Sequence, residues 1–113
     1  MHEMSIAESM INIIEDEMRK HNAKILRSIH VNIGRFSSIV PDALSFCFEI
    51  ITKDTALDGA RLFINIIPLM GRCSSCNNEF EIKDYTFLCP VCGCLKIDTI
   101  SGQDLTVVEM EVD

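Results

Sequence analysis

Two cysteine pairs constrain this chain more than any other feature. They read Cys73-Ser74-Ser75-Cys76, then the twelve residues Asn77 to Leu88, then Cys89-Pro90-Val91-Cys92-Gly93. Two intervening residues let a tight turn aim both sulfurs of a pair at one point, and the longer loop brings the pairs together. That is the spacing of one tetrahedral zinc ion on four thiolates. Four protein ligands complete the coordination sphere, so Cys73, Cys76, Cys89 and Cys92 read as a structural site with no position for substrate. Gly93 fits a turn that closes around a metal, where glycine takes a positive φ without strain. Iron in the same sulfur cage and a pair of disulfides are the competing readings. A reducing compartment disfavours the disulfides, and a colourless protein would exclude iron.

The large hydrophobes between Gly71 and Thr99 are Phe80, Ile82, Tyr85, Phe87, Leu88, Val91, Leu95 and Ile97. They are too few for this stretch to fold alone. Structural zinc contributes on the order of 10–16 kcal/mol in small finger peptides, so the metal is expected to decide whether the module folds.

Elsewhere the periodicity predicts a small α+β domain. Ala7, Met10, Ile11, Ile14 and Met18 fall on one helical face over residues 4–20, with Ser5 and Glu8 placed as a capping box. Residues 25–33 alternate, with Ile25, Ile29, Val31 and Ile33 on one side and Ser28, His30 and Asn32 on the other, the pattern of a half-buried strand. Pro41 and Asp42 open a second helix over about 41–53. Its apolar residues, Phe46 and Ile50 among them, cover most of its circumference and predict the more deeply buried helix. After the Asp58-Gly59 turn, residues 60–69 form a second strand; beyond Ser101-Gly102, residues 104–112 form a third. The expected architecture is two helices packed on a three-stranded sheet, with a zinc ribbon inserted between two strands. Residues 1–70 with 101–113 make the α+β domain, and 71–100 the ribbon.

Charge narrows the function classes. A formal −7 over 113 residues argues against a general nucleic-acid or anionic-membrane binder. The N-terminus lacks the basic start and apolar centre of a secretory signal, and no apolar run spans a membrane, so a cytoplasmic protein is expected. There is no Gly-rich phosphate loop and no nucleophile motif, so the expectation is a binding protein rather than an enzyme.

The N-terminus offers a second kind of metal site. The Met1 amine, the His2 backbone amide and the His2 imidazole lie in chelating sequence. Nickel(II) and copper(II) favour such planar nitrogen coordination, whereas zinc gains little from it. The Glu3 amide, a side chain or a partner's group could supply a fourth ligand. Taken alone, these residues also suit a solvated terminal histidine with no role.

Taken together, Met1-His2-Glu3-Met4-Ser5, Ile33-Gly34-Arg35-Phe36-Ser37, Pro41-Asp42-Ala43-Leu44, the two cysteine pairs and Gly102 to Val112 resemble the hydrogenase nickel incorporation proteins, the HypA/HybF family of metallochaperones. The resemblance spans essentially the whole chain. It implies nickel at His2 with Glu3 beside it, structural zinc on the four cysteines, and delivery of Ni²⁺ during assembly of [NiFe] hydrogenase. It implies as partners an accessory GTPase and the hydrogenase large subunit, with urease maturation proteins served by some relatives. Cys94 departs from the family pattern and reads as an unused thiol beside the site, able in principle to exchange with Cys92.

Two other functions compete. One is a zinc ribbon without nickel, binding nucleic acid or a protein; in the first form it would show salt-sensitive binding to DNA or RNA, which the acidic balance disfavours. A thiol redox enzyme would show fast thiol titration without a chelator. Cys47 reads as a core filler, His21 as a partner of the helix dipole, and His30 as a solvated strand residue with an ancillary ligand role as the alternative.

Overall fold

A computed structural model describes residues 3–113. The chain order is α1 (Glu3–Lys20), β1 (Leu26–Gly34), α2 (Pro41–Thr52), β2 (Arg61–Ile67), β3 (Met70–Cys73), β4 (Glu79–Glu81), β5 (Ile97–Ser101) and β6 (Leu105–Val112). Two compact units emerge. One takes the chain up to Asn32, with Ser38–Asn65 and Thr106–Asp113; the other takes Ile33–Ser37 and Ile66–Leu105.

The first sheet has the order β2-β1-β6, so the last strand returns beside the first. Its direction follows from the hydrogen bonds. Asp113 accepts from Lys24 and donates to Ile25 at one end, and Gly34 donates to Asp104 at the other, so β6 runs antiparallel to β1. On the opposite edge, residue numbers rise together. His30 stacks on Phe63, Asn65 donates to Asn32, and Arg35 donates to Ile67, so β2 runs parallel to β1 with α2 in the crossover.

In the first unit, α1 buries Ala7, Met10, Ile14 and Met18, the spacing of a single stripe, and packs on α2. Ser5 lies inside the first turn of α1, so the capping box predicted at Ser5 and Glu8 does not form at the helix start. α2 is the more enclosed helix, as expected: eight of its twelve residues are buried or half-buried, against eight of eighteen in α1. α2 buries Leu44, Phe48 and Thr52, while Phe46 is 63% and Ile50 48% exposed. Its apolar residues run around most of the circumference, and these two are the ones left facing outward. Pro41 does open α2 as predicted, after Val40 in extended backbone.

β1 buries one side from Ile29 onward and the other in part, where His30 and Asn32 are half-buried. Ile29, Val31 and Ile33 face one way; on the other, Ser28 is 5% exposed, and its hydroxyl donates to Glu111 at 2.7 Å, which satisfies it there. Ile25, expected to point inward, precedes the strand and is exposed; Leu26 takes the buried position.

The second unit holds a sheet that periodicity did not reveal, of order β4-β3-β5, both pairings antiparallel. Its small core forms where Gly71 passes between Ile82 and Ile97, close enough that a methyl on Gly71 would lie 2.5 Å from Ile97 Cγ2. Of the eight large hydrophobes in the module, Ile82 alone is buried. Tyr85, Phe87, Leu88, Val91 and Leu95 face outward. Apolar burial is therefore scarcer than composition suggested, which raises the share of stability the metal has to supply.

Candidate metal centres

The four cysteines are presented by two turns built alike. In the first, Asn77 N–H donates to Cys73 O at 2.9 Å and Cys73 N–H donates to Asn78 O at 2.9 Å. In the second, Gly93 N–H donates to Cys89 O at 2.9 Å and Cys89 N–H donates to Cys94 O at 3.0 Å. Both fourth residues after the leading cysteine take positive φ, 61° at Asn77 and 76° at Gly93. Asparagine and glycine tolerate that region best, which is why each turn can close. The equivalence of Asn77 and Gly93 is visible in sequence only when one knuckle is laid over the other.

The sulfur atoms of Cys73, Cys76, Cys89 and Cys92 all lie within 4.8 Å of one another, the one such cluster among the described residues. Cys73 and Cys92 sulfurs are 3.4 Å apart, and those of Cys76 and Cys89 are 3.6 Å apart. A zinc ion with Zn–S bonds of about 2.3 Å places its sulfurs about 3.8 Å apart at the tetrahedral angle, so the cage fits zinc. Cys73 and Cys89 are buried and Cys76 and Cys92 exposed, one of each in every pair.

Backbone N–H groups around the cage favour thiolate. Those of Cys92 and Val91 bring the Cys89 thiol down to about 6 despite its desolvation. At Cys92 the Cys94 N–H acts in the same sense, but the Cys73 thiol, desolvation and the remaining sulfurs outweigh it and push that group up to about 12. Four thiols at this separation cannot all ionise by themselves; a divalent cation at their centre removes the repulsion. Cys94 lies outside the cluster. Its carbonyl serves the Cys89 turn, and its thiol accepts the Lys96 N–H at 3.4 Å.

The family model described as "Hydrogenase/urease nickel incorporation, metallochaperone, hypA" matches residues 1–112. A hydrogenase maturation factor HypA of Geobacter metallireducens is 42% identical over 113 residues, covering all of both chains. The chain belongs to the HypA family. A second HypA, of Methylocella silvestris, is 39% identical over the same length. The solution structure of the Ni metallochaperone HypA from Helicobacter pylori shares the fold, with a TM-score of 0.72 at 21% identity over 99% of this chain and 97% of that one. HypA proteins are metallochaperones of hydrogenase maturation, and the cage described above suits the zinc expected in them.

The nickel reading rests on Met1, His2 and Glu3. Met1 and His2 lie outside the described residues. Glu3 is 7% exposed, and its Oε2 accepts the Val40 N–H at 3.1 Å. Val40 is the N-cap of α2 and has no side chain able to cap. Glu3 therefore does for α2, from another helix, what the glutamate of a capping box does for its own. That hydrogen bond holds the Glu3 carboxyl below the usual range. Sequence periodicity gave no sign of this contact, because 37 residues separate its partners.

Among the remaining candidates, His21 sits 3.7 Å from Glu17 at the end of α1. His30 lies 4.0 Å from Glu109 and 3.9 Å from Glu111 and stacks on Phe63 with ring centroids 4.7 Å apart. Cys47 is half-buried rather than enclosed. No described helix is long and apolar enough to cross a membrane.

Proposed function

We propose that this HypA protein carries Ni²⁺ on its N-terminus and gives it up in the cytoplasm during assembly of [NiFe] hydrogenase. The observation that supports this most strongly is the family match, which begins at the first residue and so includes the Met1-His2-Glu3 terminus. The Met1 amine, the His2 amide and the His2 imidazole are the proposed donors, with the Glu3 amide as the fourth. Glu3 suits that role through its backbone, because its carboxylate is already engaged at Val40. Planar nitrogen coordination selects nickel over zinc, while the four-thiolate cage selects zinc, so each ion is directed to its own site.

Release is built into the same chemistry. A planar ion is open above and below, and an incoming ligand can bind before an old one leaves. Acid opposes loading, because an amide ligand must lose its proton. The proposed recipients are an accessory GTPase and the hydrogenase large subunit, with urease maturation proteins as a further set. The chain itself contributes no nucleotide-binding loop.

Absorption and NMR of the nickel-loaded, untagged protein test the coordination. Planar low-spin nickel gives a d–d band with sharp, unshifted proton signals. Paramagnetically broadened signals from a six-coordinate ion would contradict the proposal.

A further inference from the structure

A groove of about 520 Å³ runs between α1 and β6, lined by Ile13, Met18, Val107, Val108, Met110 and Val112. Much of this apolar wall faces solvent, with Ile13 50% and Val108 57% exposed. Contiguous exposed apolar surface of this kind marks interaction sites. The two methionines give it an adaptable lining.

β6 is also the outer strand of its sheet. Its inner edge pairs with β1, and its other edge has no strand beside it among the described residues. Natural edge strands are blunted by charged side chains, proline or brevity; β6 is eight residues long, has no proline, and carries only acidic charges, Glu109 and Glu111, which guard it against acidic strands but not against basic ones. It carries unpaired backbone donors and acceptors along the rim of an apolar groove.

The charged residues lining the groove are carboxylates, and the one on α1, Glu17, is also reached by Lys20 at 3.3 Å from the end of the helix. Glu17 and Glu109 line the groove, no lysine or arginine does, and His21 is held to Glu17 at 3.7 Å. Glu111, the other charged residue of β6, is acidic as well. This edge therefore repels acidic strands, including a second copy of a chain whose net charge is −7.

We infer that the β6 edge and the α1–β6 groove dock an extended segment of a partner protein in which apolar residues alternate with Lys or Arg. The segment adds as a fourth strand. Its backbone pairs with β6, its apolar side chains enter the groove over Met18 and Met110, and its cations meet Glu109 and, in exchange for Lys20, Glu17. The surface is separate from the cysteine cage and does not depend on the nickel reading.

The test uses the zinc-loaded full chain, isotopically labelled, with capped peptides as probes. One peptide is Gly-Lys-Val-Lys-Val-Lys-Gly; a second has Glu in place of Lys, and a third is the lysine peptide N-methylated on alternate residues. The lysine peptide should slow hydrogen exchange at the β6 amides that face away from β1 and shift signals of Ile13 and Met18. The glutamate and N-methylated peptides should bind at least about tenfold more weakly. Glu17→Lys with Glu109→Lys should reverse the preference between lysine and glutamate peptides, with zinc content unchanged as the control for folding. Equal binding of all three peptides, shifts elsewhere on the protein, or no reversal in the double variant would overturn the inference. So would β6 protection that depends on protein concentration without peptide, since the occupant would then be a second copy.

Discussion

Gly34 lies so close to Gly102 that a methyl group on its α-carbon would occupy the space of the Gly102 carbonyl. The approach is pinned on both sides: Gly34 N–H donates to Asp104 O and Phe36 N–H to Gly102 O, each at 2.8 Å. Gly102 has φ of 95°, and a methyl there would lie 2.5 Å from Leu69 Cα. Gly34→Ala should cost about 3 kcal/mol, because backbone cannot move aside as a side chain can. Urea unfolding of the zinc-loaded protein should show a lower midpoint; an unchanged midpoint would mean the strands separate freely at this point.

Zinc should govern the order of residues 70–101. With a core this small, Cys73→Ser or a strong chelator is expected to collapse the dispersion of their amide signals, while signals from α1 and α2 remain dispersed. Retention of the full ribbon spectrum without metal would show that the sheet β4-β3-β5 stands by itself.

Glu3 carries a pH signature. A carboxyl held below its ordinary value contributes stability that is present above the unfolded pKa and lost as pH falls through the folded one. Glu3→Gln should therefore lower Tm by a few degrees at pH 7, and the difference from the parent should shrink as pH falls below the ordinary glutamate range, disappearing only once pH is below the lowered folded pKa. Nickel affinity should change little, since the proposed ligand is the backbone amide. A large loss of nickel binding in this variant would assign the carboxylate to the metal.

The helices and the strands of the first sheet were legible because each spreads one periodicity over many residues. Ala7, Met10, Ile14 and Met18 repeat at helical spacing, and Ile29, Val31 and Ile33 at strand spacing. The second sheet was not, because β3 has four residues and β4 three, too few for a pattern to stand out. α2 is the more enclosed helix, as its composition indicates, but composition did not show which of its residues stay outside. Apolar residues cover most of its circumference, yet Phe46 and Ile50 face outward, since hydrophobicity does not say where a neighbour is present. The cysteine cage was fully legible, since Cys-x-x-Cys spacing is itself geometry. Glu3 on Val40 was invisible because it depends on the tertiary fold.

The most direct test of the account is calorimetric titration of nickel into untagged, zinc-loaded protein beside its His2→Ala variant. The account predicts one equivalent of Ni²⁺ bound by the parent, affinity reduced by at least about a hundredfold in the variant, as for loss of a metal ligand, and zinc content equal in both. Equal nickel binding by the two proteins would contradict it.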